Sequence, residues 1–127
     1  MKQAITKTIL SSITATNIPV AIDVKYAKKV TLVYTEAGTV NNRSGALVIT
    51  GSIDNSTFIT LNVIDNVAND NSQMITRVAS KTRNAAGSDI IFLDLKHFGI
   101  SEIKATCTIT DGAAPTGNFS LLALIEY

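Results

Sequence analysis

His97, in LKHFG, and Cys107, in KATCTIT, are the single histidine and the single cysteine of this 127-residue chain. A structural or catalytic zinc needs three or four convergent ligands, and one His with one Cys falls short of that. A Cys/His dyad needs a third group to orient the base and donors for an oxyanion, and the flanking residues suggest neither. Cys107 shares the alternation of Ile103 and Ile109, so it reads as a small core hydrophobe, and His97 as a structural histidine. The many serines include no G-x-S-x-G elbow. Gly38, Gly45 and Gly51 match neither G-x-G-x-x-G nor phosphate-loop spacing. Asp54, Asp65, Asp70, Asp89 and Asp94 are spread over turns and strands, and the absence of Trp removes the usual sugar platform beside a glycosidase pair. Asp65, Asn66, Asn69, Asp70 and Asn71 offer oxygen ligands to calcium, yet lack the D-x-D-x-D-G framework and the bidentate Glu of an EF-hand, and read as turn residues. No catalytic residue, metal site or cofactor site is expected.

Composition narrows the class. With 11 basic and 10 acidic residues the formal net charge is +1. The clusters Lys25/Lys28/Lys29 and Arg77/Lys81/Arg83 lack interleaved aromatics and read as solvated strand ends, so no nucleic-acid partner is expected. No apolar run approaches the roughly eighteen residues of a membrane span, and the segment MKQAITKTILSSITAT lacks the apolar core of a signal peptide. A lone cysteine forms no intrachain disulfide. Charged residues make up only 17% of the chain and mean hydropathy is +0.26, against roughly 25% charged in ordinary domains. So few charges on a small domain imply that part of its surface faces protein.

The elements follow from alternation. Residues 46–65, ALVITGSIDNSTFITLNVID, read as a hairpin: Leu47, Ile49, Gly51 and Ile53 alternate with polar or small residues, Asp54-Asn55-Ser56 turns, and Ile59, Leu61 and Val63 alternate again. Further strands are expected at 18–24, 30–36, 73–80, 89–95, 103–110 and 119–127. Loops are expected at 37–45, 66–72 and 81–88, and a turn at 111–117. Segments 89–95 (DIIFLDL) and 119–127 (FSLLALIEY) are apolar on both faces, as in a central strand or one covered by a partner. Residues 1–16 are expected to form an N-terminal arm or first strand, with contacts outside their own core, and 17–127 one domain. The expected fold class is all-β: a single antiparallel β-sandwich or jelly roll of about eight strands.

The hairpin LVITGSIDNSTFITL resembles the S-x-D-G-x-x-W/F-x-x-L hairpin of discoidin-like, galactose-binding sandwiches. Ser52, Asp54, Phe58 and Leu61 match, Asn55 stands where Gly is usual, and Phe58 where Trp is usual. It also resembles a hairpin of small virion proteins of tailed bacteriophages, the head decoration and head-fibre proteins, over roughly residues 44–127. Discoidin-type modules are usually secreted and disulfide-stapled, which this chain does not match. The virion resemblance implies a non-enzymatic protein, a capsid decoration, cement or minor capsid protein made in the host cytoplasm and residing in the virion. Its implied partners are copies of itself and a capsid shell protein. The discoidin resemblance implies the alternative, a carbohydrate-binding module with Asn41, Asn42 and Arg43 as its candidate interaction loop.

Overall fold

A computed structural model of the chain describes residues 3–65, 76–95 and 99–127. Two very long strands form its spine: β3 (Lys29–Ser52) and β9 (Glu102–Glu126) run antiparallel along almost their whole lengths. The others flank this ribbon. β1 (Ala4–Ile13) pairs with the C-terminal half of β9, and β2 (Ile22–Asp23) with its start. On the far side of β3, β8 (Gly87–Asp94) pairs with its first half, while β7 (Lys81–Arg83) and β4 (Ile59–Thr60) pair with its second half. β5 (Val63–Asp65) joins β8, and β6 (Thr76–Val78) joins β5.

The architecture is therefore all-β and antiparallel, as expected. However, hydrogen bonding unites the nine described strands in one sheet, with the main path β1-β9-β3-β8-β5-β6, and not in two separate sheets. No helix occurs among the described residues, so none is long and apolar enough to cross a membrane.

One sheet can enclose a core because the ribbon bends. Pairing runs in perfect register from Lys29↔Glu126 to Ala37↔Asn118, slips at Asn41↔Thr116 and Arg43↔Asp111, then runs unbroken to Ser52↔Glu102. The slips bulge both strands, and bulges bend and twist a ribbon. They also switch the inward parity of β3. Val30, Leu32 and Tyr34 point inward before the bend, Leu47 and Ile49 after it, while β9 stays odd throughout (Ile103, Ala105, Cys107, then Phe119, Leu121, Ala123, Ile125). These residues join a single buried cluster, each larger one contributing about 1.5–3 kcal/mol by leaving water.

The structure corrects several expectations. The loop expected at 37–45 and the turn expected at 111–117 are the bulged middles of β3 and β9. The strand expected at 18–24 shrinks to Ile22–Asp23, leaving Ile18 and Val20 exposed. There, Asn17 replaces backbone pairing with side-chain bonds: its Nδ2 donates to the Ala105 carbonyl at 2.9 Å and its Oδ1 accepts from Cys107 N–H at 2.7 Å. The loop expected at 81–88 holds the short strand β7. Within the segment expected to be an N-terminal arm or first strand, Ala4–Ile13 form a strand of the chain's own sheet, with Leu10 buried.

Candidate functional site

Asn41, Asn42 and Arg43 lie at the bend, where β3 must be held to a partner strand that has lost register. Arg43 does most of this. Its Nε donates to Asp111 Oδ1 at 2.7 Å, its Nη2 to Asp111 Oδ2 at 3.1 Å, and its Nη1 to the Gly117 carbonyl at 2.7 Å. This is the two-pronged pairing that a planar guanidinium allows and an ammonium does not. The contact lowers the Asp111 carboxyl below the usual carboxylate range and raises the Arg43 guanidinium further. Asn42 Nδ2 donates to the Ala113 carbonyl at 2.6 Å, and Asn41 Nδ2 to the Ala114 carbonyl at 3.3 Å. The structure thus brings the three residues together, with their polar ends on β9. Asn42 and Ala114 have φ of 50° and 48°, so the side-chain bonds hold a backbone that bends through the left-handed region.

Beneath the bend lies a group that sequence reasoning missed. Glu36 is buried at the end of the regular β3 pairing, and both of its carboxylate oxygens lack a hydrogen-bond partner among the described residues. Burial raises its pKa above the ordinary glutamate value, opposed by the positive charges of Arg83 and Arg43. Arg83 is itself committed: Nη1 pairs with Asp89 Oδ2 at 2.6 Å and Nη2 donates to the Ala85 carbonyl at 3.1 Å. Beside Glu36, Tyr34 Oη donates to the Gly45 carbonyl at 2.8 Å and lies 3.3 Å from Cys107 Sγ. Burial raises both the phenol and the thiol, so Cys107 is a neutral, enclosed thiol and a poor nucleophile. The outward signal for Glu36 was only its place in the alternating run VTLVYTE, where it continues the inward parity of Leu32 and Tyr34.

The hairpin motif is structural. Asp54 Oδ1 accepts from Thr57 N–H at 2.8 Å, Ser56 N–H at 3.0 Å and Ser52 Oγ at 2.8 Å, and these donors hold its carboxyl well below the usual carboxylate range. Phe58 lies under Lys104 Nζ, 4.0 Å from the ring centroid, and Leu61 packs against the core. The return strand is short: after Leu61 N–H bonds the Ile49 carbonyl, the chain leaves β3 and pairs with β8. His97 and the calcium-ligand candidates Asn66, Asn69, Asp70 and Asn71 lie outside the described residues, as does the side chain of Asp65. Among the described residues, no three His, Cys, Asp or Glu side chains converge as metal ligands.

The two strands apolar on both faces place their second face outward. Leu122 stands between Thr8 and Val33, and Val33 next to Ile90. In the next row Leu124 stands between Thr6 and Thr31, followed by Phe92 and Ile64. Ile90, Leu122 and Leu124 are 42%, 41% and 38% exposed. The Lys29–Glu126 ion pair, at 3.4 Å, closes one end of this face. The Thr35–Ser88 hydroxyl pair, at 2.8 Å, closes the other.

A long bent ribbon flanked by short strands in one antiparallel sheet is an architecture found in a phage-derived protein. The solved structure it matches is the crystal structure of SPBc2 prophage-derived protein YomS, with a TM-score of 0.74 over 100% of this chain and 96% of that one. Sequence identity is 10%, so the likeness is one of fold. No family model and no curated protein matches the chain.

Proposed function

We propose that this protein is a non-enzymatic structural component of a phage virion, a decoration, cement or minor capsid protein that joins copies of itself and a capsid shell protein. The observation that carries the reading is the outward face of β1, β9, β3, β8 and β5. It presents Leu122, Leu124, Val33, Ile90, Phe92 and Ile64 among threonines. An antiparallel sheet with one face on its core normally shows water a polar second face. The prophage origin of the protein with the same fold supports the setting.

The occupant of this face is a second copy of the chain. From β1 to β5 every residue of the two central rows is apolar or threonine, with Arg77 of β6 at the far edge beside Ile64. A two-fold contact centred on β9 and β3 therefore sets no like charges against each other there, and the Lys29–Glu126 pair at the rim is already neutralised. Repetition over a shell lets modest contacts add through avidity. Sedimentation velocity of the purified chain tests this. A dimer or larger is expected, and Leu122→Lys should shift it to monomer with an unchanged circular dichroism spectrum. A wild-type monomer at high concentration refutes the self-association.

The alternative, a discoidin-like carbohydrate-binding module contacting ligand through Asn41, Asn42 and Arg43, has less support. The Arg43 guanidinium and the side-chain amide nitrogens of Asn41 and Asn42 already bond to β9.

A further inference from the structure

A cleft of about 450 Å³ opens between the turn from β2 to β3, the Asp54–Ser56 turn and the start of β9. It lies apart from both the bend and the apolar face, and its volume falls in the range of small-ligand sites. Three features give it a chemical character. The first is charge: Lys25 and Lys28 line it, and no described carboxylate does, in a chain whose formal charges nearly cancel.

The second is Tyr26. Its side chain is 82% exposed at the cleft margin, and its backbone has φ of 68°. A bulky residue is costly in the left-handed region, where glycine sits freely. An exposed aromatic ring there gains no core burial to offset that cost. Lys25 Nζ lies over one face of the ring, 5.2 Å from its centroid, so a group stacks on Tyr26 by its other face, with the ammonium close by. Across the cleft, Asn55 has φ of 63°, and its Oδ1 is held by Ser101 Oγ at 2.6 Å. That leaves its amide NH₂ as the end available to a ligand. Ile53, 75% exposed, adds an aliphatic wall.

The third is the state of the backbone. Lys28 N–H bonds Glu126, the Lys28 carbonyl accepts from Leu95 N–H, and Ser101 N–H bonds the Ser52 carbonyl. Strand addition by a peptide needs unpaired backbone groups, and these are used. Recognition here falls to side chains: a ring face, two ammonium groups and an amide.

We propose that this cleft is a binding site for an acidic saccharide, with a sugar ring stacked on Tyr26 and its carboxylate facing Lys25 and Lys28. Asn55 Nδ2 donates to a ring hydroxyl. The site is independent of self-association, since none of its residues lies on the apolar sheet face.

The test is an NMR titration of the ¹⁵N-labelled full chain with digalacturonate, its neutral dimethyl ester and hexaglutamate, each to about 10 mM. Saturable shifts at residues 25–28, 53–55 and 100–101 are expected with digalacturonate. The ester and the peptide should each bind about tenfold more weakly or not at all. Tyr26→Gly should abolish the shifts while raising the melting temperature, because glycine relieves the backbone; Lys25→Ala/Lys28→Ala should weaken binding without unfolding the chain. No saturable binding of digalacturonate, equal binding of ester or hexaglutamate, or undiminished binding by Tyr26→Gly overturns the proposal.

Discussion

Tyr34 Oη reaches the carbonyl of Gly45, eleven residues further along its own strand, at 2.8 Å. A straight strand would hold these residues more than 30 Å apart by its rise of about 3.3 Å per residue. The bond therefore measures how far β3 folds back at its bulge. Gly45 permits the approach: a Cβ there would lie 2.6 Å from both Tyr34 Oη and Phe119 Cε1. Phe119 in turn stacks with Tyr34 at a centroid separation of 5.9 Å. Gly45→Ala is expected to destabilise the fold by about 1–3 kcal/mol through overpacking. Tyr34→Phe should cost about 1 kcal/mol, the worth of one buried hydrogen bond. Denaturant unfolding of the two variants checks the order; a neutral Gly45→Ala would refute the close approach.

Arg43→Ala should lower the melting temperature, and Arg43→Lys should recover only part of the loss, since a lysine cannot span both Asp111 oxygens and the Gly117 carbonyl. The effect has a defined pH window. Asp111 is more acidic in the folded chain than in the unfolded one, so the pair stabilises at pH values above the ordinary aspartate range. That stability is lost as pH falls through the depressed folded value. Melting curves of wild type and Arg43→Ala should converge in strong acid.

Glu36 has the opposite sign. Its folded pKa is raised, so the folded chain binds this proton more tightly than the unfolded chain. The contribution is present below the ordinary glutamate value and is lost as pH rises through the folded value. Glu36→Gln should therefore stabilise the protein at neutral pH by about 1–2 kcal/mol, the scale of an unsatisfied buried group. The gain should vanish below the glutamate range. Chemical denaturation at several pH values reads both arms, and a destabilised Glu36→Gln at neutral pH would show that the carboxylate is needed.

Cys107 should react with an alkylating reagent only as fast as the fold opens, because the thiol is enclosed and burial keeps it protonated. Mass spectrometry of timed iodoacetamide labelling, with and without denaturant, follows this. Rapid labelling of the folded chain would contradict the core placement.

Deleting residues 1–13 should lower monomer stability as well as change assembly. β1 pairs from Ala4↔Glu126 to Ile13↔Phe119 and places Leu10 in the core, so its loss bares the edge of β9. Circular dichroism melts and sedimentation of the truncated chain separate the two effects.

Local alternation was enough to assign the strand character of 30–36, 46–52, 89–95, 103–110 and 119–127, and the inward place of Cys107. The period-two pattern is a property of each segment by itself, and burying one face requires it wherever the segment ends up. The outward apolar face was legible in part, since Leu122, Leu124, Ile90 and Phe92 break the alternation. Joining 29–52 and 102–126 into one bent ribbon was not legible. Turn-forming residues such as Asn41, Asn42, Gly112 and Pro115 signal a chain reversal locally, and only pairing across about seventy residues of sequence makes them opposing bulges. The roles of Arg43 and Glu36 depend on that same register. One residue of slip decides whether Arg43 meets Asp111 or solvent, and pairing partners are chosen by the energy of the whole core, which no single segment contains.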